Sequence, residues 1–453
     1  MKKVSLEELV SLAKRRGFIY QGSEIYGGLA GTWDYGPLGV VLKNNITRLW
    51  WKTFVEDRDD IYGIETAILM NPKVWDASGH LTTFNDPLIE DIKTKKRYRL
   101  DNLLEDNGID PSGMTVEKMV ETLNKKGIKS PEGNKLGSPA QFNLMFKSSI
   151  GPIEGENSQV YLRPENAQGM FVNFRNILDS FHPDIPFGIA QVGKAFRNEI
   201  SPRDFIFRVR ELEIMEFEYF IYSKNWEKDF EILNGQMNDW FFKKMMFSRD
   251  SMREIEVPST ERAHYSKRTV DFEFNYPIGM KEIAGLAYRT DFDLSRHQEK
   301  SGKSMDYLPK NGDKPFVPHV IEPTFGVDRH VLAVISEAYR EDEVNGDKRV
   351  YLAFPKHLAP VKVAVSPLLK NKPELVKKAE EVYEKLKLET GPVMWDDNGN
   401  IGKRYRRQDE IGTPYCVTID FDTLKDDSVT VRDRDTTKQK RIKISGLSAA
   451  IKI

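Results

Sequence analysis

The residues from Phe196 to Phe220, FRNEISPRDFIFRVRELEIMEFEYF, decide how this chain is read. Two strand-like runs flank a loop that contains Pro202, the pattern of an antiparallel hairpin. Arg197, Arg203, Arg208 and Arg210 fall within 14 residues of it. Guanidinium forks match phosphate oxygens in two-point geometry. A surface ladder of ion pairs with Glu199, Glu211 and Glu213 would use the same residues. The second arm, from Leu212 to Phe220, adds a separate signal. Strand alternation puts Glu216 and Glu218 on the same face as Leu212, Ile214 and Phe220. A carboxylate on an apolar face is costly unless it is paired. Its partner is either a buried arginine or a cationic ligand group, such as an amino acid's ammonium.

Working outward, Gly188-Ile-Ala-Gln-Val-Gly193-Lys194-Ala195 fits a phosphate-loop pattern up to its last position. Ala195 replaces the hydroxyl residue that would hold magnesium, and strand and turn follow instead of a helix, so the match is a decoy. Residues 165–181 carry apolar positions at helical spacing. Residues 321–339 read as a strand running through a turn into a helix. There Gly326 sits at the turn and Arg329 in the first helical turn. With the hairpin, this gives two guanidinium groups that could grip opposite ends of a triphosphate.

Nearer the N-terminus, Ser5 and Glu8 form a capping-box pattern and Gly17 is a stop, so residues 5–16 read as a helix. A second helical pattern covers 40–56, and Ala67–Met70 looks strand-like. Residues 85–140 are polar and helix-forming at best, as in an insertion. Residues 224–320 mix helical and irregular signals and read as a second insertion. From about Phe354, β-rich runs at 361–365, 415–419 and 429–431 alternate with helices. One helix carries Leu375, Ala379, Val382 and Leu386 on one face. The expectation is an α+β chain of two units, 1–353 and 354–453, the second α/β.

The 453 residues hold 68 Lys plus Arg against 69 Asp plus Glu, a net charge of −1, which does not exclude a local nucleic-acid patch. A single cysteine, Cys416, rules out an internal disulfide and a Cys-rich zinc site. A metal would have to sit on oxygen ligands, as magnesium does, so no zinc is expected. No apolar run approaches a membrane span and no leader is visible, so a cytoplasmic protein is expected.

These residues resemble a known set. FRNE at 196–199 resembles motif 2 of the class II aminoacyl-tRNA synthetases. GVDR at 326–329 resembles motif 3, and the helix–strand unit ending at Pro72 resembles motif 1. Longer strings resemble the homodimeric glycyl-tRNA synthetases: SEIYGGLAGTWDYGPLG (23–39), ILMNPKVWDASGH (68–80), QFNLMF (141–146), LRPENAQG (162–169), YRTDFDL (288–294) and IGKRYRRQDEIGTPYCVT (401–418). The resemblance runs from residue 5 to about 445. It implies a catalytic domain on an antiparallel sheet flanked by helices and a C-terminal α/β anticodon-binding domain. It also implies activation of glycine with ATP to glycyl-adenylate, then transfer to the 3′ end of glycine tRNA.

The resemblance also implies the site. Arg197 would bind the α-phosphate and Arg329 the γ-phosphate, with Glu199 as a third catalytic residue. The ATP site would add Asn198, Phe207, Arg208, Val209, Arg210 and Glu211. Leu212, Ile283, Gly326, Val327 and Asp328 would complete it. Glu282, in MKEIAG, is the candidate magnesium ligand, although a carboxylate at a surface helix start would look the same. Glu165, Glu216 and Glu322 would hold glycine's ammonium. Arg99, Leu212, Glu213, Ile214 and Met215 would lie around the glycine, with Pro323, Thr324, Phe325 and Gly326 opposite. Glycine has no side chain, so specificity must come from filling the space of a Cβ, and such a pocket needs no editing.

The chain departs from the family pattern at three positions. Leu212 stands where a phenylalanine usually stacks on adenine, Ile214 where glutamine is usual, and Asn166 where threonine is usual. For tRNA, Lys403, Arg404, Arg406 and Arg407 surround Tyr405, a set suited to phosphate contact plus base stacking. A solvated helix end would look alike. The motif 1 resemblance implies a homodimer. The alternatives are a non-catalytic synthetase-like tRNA-binding subunit and an adenylating ligase that uses another carrier. Retention of Arg197 and Arg329 argues against the first, and the C-terminal unit against the second.

Overall fold

The computed structural model describes residues 4–111, 113–152, 158–200, 202–344 and 346–451. Its largest element is a seven-stranded sheet: β1 (Ile61–Gly63), β2 (Phe187–Phe196), β3 (Glu211–Ile221), β4 (Met252–Glu256), β5 (Arg268–Tyr276), β6 (Gly279–Thr290) and β7 (His319–Gly326). The spatial order is β4-β5-β6-β7-β3-β2-β1. The hairpin forms as expected, with β2 and β3 antiparallel from Phe196↔Glu211 to Phe187↔Phe220. On its other side β3 meets β7, pairing Glu216 with Thr324 and Ile214 with Gly326. The two Arg-bearing motifs are thus joined at neighbouring strands. The phosphate-loop decoy lies within β2.

Alternation sorts β3 into two faces. Met215, Phe217, Tyr219 and Ile221 enter the main core beneath the sheet. There they meet Trp50 of α2 (Pro37–Trp51) and the helix after β7, α4 (Val327–Ala338). Trp50, Phe54, Phe217 and Phe325 form one ring cluster with centroids 5.3–6.3 Å apart. Truncating such a fully buried ring costs about 3–5 kcal/mol. The other face is covered by α3 (Ala167–Phe181) only over its C-terminal half, where Phe220 packs on Phe174 at 4.6 Å. The half that carries Leu212 and Ile214 stays open and floors a cavity.

Three expectations need correction. Residues 224–320 are no insertion, because they supply β4, β5 and β6. The signal was present in RTVDFEFNY, whose Val270, Phe272, Phe274 and Tyr276 are buried in strict alternation. Ala67–Met70 forms no strand, only a bridge from Leu69 to Leu162. Residues 85–140 form more than helices. Strands Asn85–Asp91, Arg97–Arg99 and Leu136–Asn143 make a small sheet, and helices Leu100–Glu105 and Val116–Lys126 pack on it. Its separate core gathers Ile89, Leu100, Leu103, Leu104 and Leu123.

The first helix, α1 (Leu6–Arg15), has both capping-box bonds between Ser5 and Glu8, and Gly17 follows it at φ +73°. In the C-terminal part, β8 (Val363–Pro367), β9 (Val393–Trp395), β10 (Tyr415–Ile419), β11 (Ser428–Asp433) and β12 (Gln439–Lys443) form a second sheet, ordered β9-β8-β10-β11-β12. Helix α5 (Pro373–Thr390) buries Leu375, Ala379, Val382 and Leu386 against it, the face expected from spacing. Helix α6 (Ile401–Glu410) carries the Arg-rich string. Among the described residues, no helix is long and apolar enough to cross a membrane.

Candidate active site

The cavity over β3 has a volume of about 340 Å³, and Arg197, Arg208 and Arg329 line it with Phe207, Glu282 and Gly326. Arg197 leaves the end of β2, and its Nε–H donates to the Pro164 carbonyl (3.2 Å). No hydrogen bond holds its Nη atoms among the described residues, so that end of the fork is open to a ligand. Arg329 rides the first turn of α4. It lies over the Phe207 ring (4.7 Å) and reaches the Glu282 carboxylate (3.1 Å). The Arg329 charge holds the Glu282 carboxyl below the usual range. The turn is anchored through Asp328, which accepts from the Tyr35 hydroxyl (2.5 Å) and the Glu213 N–H (2.9 Å).

Glu282 lies on β6, not at a helix start. Asp271 on β5 lies close enough that burial, then the Glu282 charge, push its carboxyl up to about 7. Two crowded carboxylates, one of them paired with Arg329, suit a divalent cation. Among the described residues no group of three or more His, Cys, Asp or Glu has metal-binding geometry. A magnesium ion here would therefore need phosphate oxygens as well as Glu282.

The small sheet of residues 85–143 reaches the same cavity. Arg99 grips Asp101 with two bonds, pairs with Asp86, and lies 3.6 Å from Glu199. Burial, aided by the Glu199 and Asp101 charges, lifts Asp86 to about 6 even beside Arg99.

Beneath the floor at Thr324 lies a cluster of buried carboxylates. Glu216 accepts from the Asn166 N–H (2.7 Å) and the Thr324 hydroxyl (3.4 Å). Burial, then the charges of Glu322 and Glu165, push it up to about 8. Burial opposes the charge on Glu165, but His80 (3.4 Å), the Arg289 charge and the bond from Gln168 (3.0 Å) together outweigh it and hold Glu165 well below the usual range. Both Glu322 oxygens are taken by Arg289 Nη1 (3.0 and 2.9 Å). Arg289 also forks onto Asp293 (2.7 and 2.9 Å) and lies 3.8 Å over the Tyr265 ring. Neither answer foreseen for Glu216 and Glu218 is met by a direct contact among the described residues: Glu216 has backbone and hydroxyl donors but no cation, and both Glu218 oxygens are buried without a hydrogen-bond partner. The buried arginine sits instead on Glu322 of the neighbouring strand. Sequence reasoning missed Arg289, Asp293, His80, Gln168, Tyr265, Asp86 and Asp271. Arg289 and Asp293, four apart within YRTDFDL, were the legible signal.

Of the expected residues, Phe207, Arg208, Val209, Leu212, Glu213 and Ile214 line the cavity, with Arg99, Glu199 and Ile283. Others do not reach it. Met215, Phe325 and Val327 are in the main core on the opposite face of the sheet, and alternation places Pro323 with them. Glu211 is exposed and pairs with Lys194 (3.0 Å). Arg210 is spent on the carbonyls of Ala30 (2.6 Å) and Glu199 (2.9 Å). Asn198 is tied by its N–H to Leu144 (2.8 Å) and is not among the lining residues. A larger cavity, about 560 Å³, lies where Phe247, Phe354 and Arg434 meet, and no motif residue lines it.

On α6 the structure corrects Arg404. Its guanidinium is buried on the carbonyls of Gly399 (2.8 Å), Asp397 (2.9 Å) and Pro367. Four of its five N–H donors are taken by these carbonyls, and burial keeps the group from a phosphate in solvent. Tyr405 is likewise tied, by its hydroxyl to Thr418 (2.9 Å) and under Arg432 (4.8 Å), so it is not a free stacking platform. Arg407 pairs with Asp396 (2.6 Å), Arg406 bonds the Lys348 carbonyl, and Lys403 is exposed.

Residues 148–339 match the class II core domain of tRNA synthetases (G, H, P, S and T), and residues 362–452 match an anticodon binding domain. The glycine–tRNA ligase of Deinococcus radiodurans is 47% identical over 503 aligned positions, covering 100% of this chain and 99% of that protein. Those of Caldanaerobacter subterraneus (48%; 98% of this chain, 96% of that one) and Clostridium acetobutylicum (47%; 98% and 97%) are as similar. The matched core domain spans the sheet that joins Arg197 to Arg329, and the relatives match along their full length: the chain belongs to the glycine–tRNA ligase family of class II tRNA synthetases.

Proposed function

We propose that the cavity over β3 activates glycine with ATP and then hands it to tRNA. The observation that carries this reading is the layout of one continuous site: Arg197, Arg208 and Arg329 meet in the cavity among carboxylates that include Glu199 and Glu282, and the buried Glu216 and Glu322 lie under its floor. A triphosphate fits the first end and an ammonium the second. The glycine carboxylate attacks the α-phosphorus, the bond to the bridging oxygen of pyrophosphate breaks, and glycyl-adenylate forms. The terminal ribose hydroxyl of the tRNA then attacks the activated carbonyl, and AMP leaves. Neither step needs a protein nucleophile. Catalysis is positioning plus charge stabilisation.

In this scheme Arg197 binds the α-phosphate and Arg329 the γ-phosphate, while Glu199 and Arg99 frame the nucleotide. Glu282 would hold magnesium together with the nucleotide, and the ion would supply further charge neutralisation. Glu216 and Glu165 receive the ammonium, and Glu322, fixed by Arg289, shapes the wall. Ile214 and Thr324 occupy the space a larger amino acid would need. Leu212 offers adenine an aliphatic contact in place of a ring, which forgoes about 0.5–1.5 kcal/mol of stacking.

The tRNA reading is supported by the anticodon-domain match, with Lys403, Arg406 and Arg407 as proposed contacts. The domain division near residue 354 and a homodimer through the α2–β1 unit belong to the same proposal, the dimer resting on the motif 1 resemblance. Action in the cytoplasm, where ATP and tRNA are found, belongs to the same proposal. The test is amino-acid-dependent ATP–pyrophosphate exchange with all twenty amino acids, on the wild type and Arg197→Ala. Exchange with glycine alone, lost in the variant, is expected. Exchange with another amino acid, or none from folded protein, would contradict the reading.

A further inference from the structure

Arg329 is placed only as well as the turn that begins its helix. Two ties to that turn are the Tyr35–Asp328 bond and the Tyr276 hydroxyl, which donates to the Arg329 carbonyl (3.1 Å). A third runs through His330, which is fully buried. Its Nδ1 lies 2.7 Å from the Gly326 carbonyl oxygen, and its Nε2 lies 3.1 Å from Trp240 Nε1. A carbonyl only accepts and an indole N–H only donates. The two contacts together define one state, a neutral imidazole with its proton on Nδ1. Burial, the largest cause, pushes the imidazole down to about 4, in keeping with that state. Trp240, Phe241 and Phe325 enclose the ring at centroid distances of 5.9–6.0 Å.

Gly326 lines the cavity, and the stem of Arg329 rests on it. A Cβ placed on Gly326 would come within 3.2 Å of Arg329 Cδ. A turn of the 326–327 peptide therefore moves the surface under the guanidinium. We propose that His330 is a positioning residue for the nucleotide end of the site: locked in one tautomer by Trp240, it pins the Gly326 carbonyl and so aims Arg329 into the cavity. The proposal rests on Arg329 being a phosphate ligand. A histidine that merely filled the core would be replaceable by an aromatic of similar size with no change in the use of ATP.

The test is KM for ATP, KM for glycine and kcat in pyrophosphate exchange, for the wild type, His330→Phe, His330→Asn, Trp240→Phe and Arg329→Ala. Asparagine can present its Nδ2 where Nδ1 lies and keep the bond to Gly326. His330→Phe should raise the ATP KM about tenfold, the loss of one such bond, with the glycine KM within about twofold. His330→Asn should recover most of that, and Trp240→Phe, which frees the tautomer, should fall between. If His330→Phe fails to fold, His330→Asn and Trp240→Phe carry the test: Trp240→Phe with an unchanged ATP KM, or one no higher than that of His330→Asn, would overturn the proposal. Arg329→Ala defective beside an unaffected His330→Phe, or His330→Asn as defective as His330→Phe, would overturn it alone. An unchanged ATP KM in Arg329→Ala would overturn the reading of Arg329 and the proposal with it.

Discussion

Arg197, at the head of the 196–211 hairpin, and three buried arginines, Arg349, Arg404 and Arg434, differ in what their nitrogens face. Arg197 spends one N–H on a carbonyl and turns the rest of its fork to a cavity. Arg404, Arg349 and Arg434 are buried, and each bonds at least one backbone carbonyl: three for Arg404, that of Arg434 for Arg349, and those of Gly412 and Phe354 for Arg434. In sequence Arg197 and Arg404 both sit in arginine-rich strings near aromatics. The difference teaches that a guanidinium is available to a ligand only where the fold has left its donors unused.

Arg289 stands between the two cases, and the largest expected effect is there. It is buried like Arg404, yet it holds Glu322 of the proposed glycine site. Arg289→Met would leave Asp293 and Glu322 unpaired in the interior, a loss of about 3–5 kcal/mol of stability. Chemical denaturation should show that loss, and exchange by the remaining folded enzyme should show a raised glycine KM. Next come Arg197→Ala and Arg329→Ala. Each should lower exchange about 10²–10³-fold, the effect of removing one preorganised charge donor. Arg197→Ala should leave the melting temperature within about 2 °C of the wild type, since the Nη atoms of Arg197 hold no hydrogen bond among the described residues, whereas Arg329→Ala also removes the contacts to Phe207 and Glu282 and should lower it further.

Arg404→Leu is the mirror image. Carbonyls left without donors cost about 1–3 kcal/mol, so the melting temperature should fall while glycine exchange at 25 °C persists. A selective loss of exchange would break the comparison. A smaller effect tests the carboxylate end. With its carboxyl near 8, Glu216 is mostly protonated at pH 7 in the free enzyme. An incoming ammonium favours the charged form, so a proton is released on binding. Glycine affinity should therefore rise with pH, by up to about tenfold per unit between pH 6.5 and 7.5. Calorimetry in buffers of differing ionisation enthalpy reads that proton directly, and Glu216→Gln should abolish it.

Much of the site was legible because its signals are local. The β2–β3 hairpin, the Gly326 turn and the face of α5 each follow from alternation, a glycine at a turn, or helical spacing within about 20 residues. Side chains chosen by resemblance alone fared worse, since a contiguous string alternates in a strand. Glu216 and Thr324 face the site while Met215 and Phe325 face the core. The 224–320 region was misread because β5 interleaves acids with aromatics. Arg404 was misread because the carbonyls that hold it come from Pro367, Asp397 and Gly399, outside its own string.

The most direct measurement is arginine-specific labelling with a glyoxal reagent, read by mass spectrometry on the folded protein with and without ATP. Arg197 and Arg329 should be labelled in the free enzyme and protected by ATP, while Arg404, Arg349 and Arg434 stay unlabelled in both. Rapid labelling of Arg404, or an Arg329 indifferent to ATP, would contradict the division between ligand-facing and fold-bearing arginines.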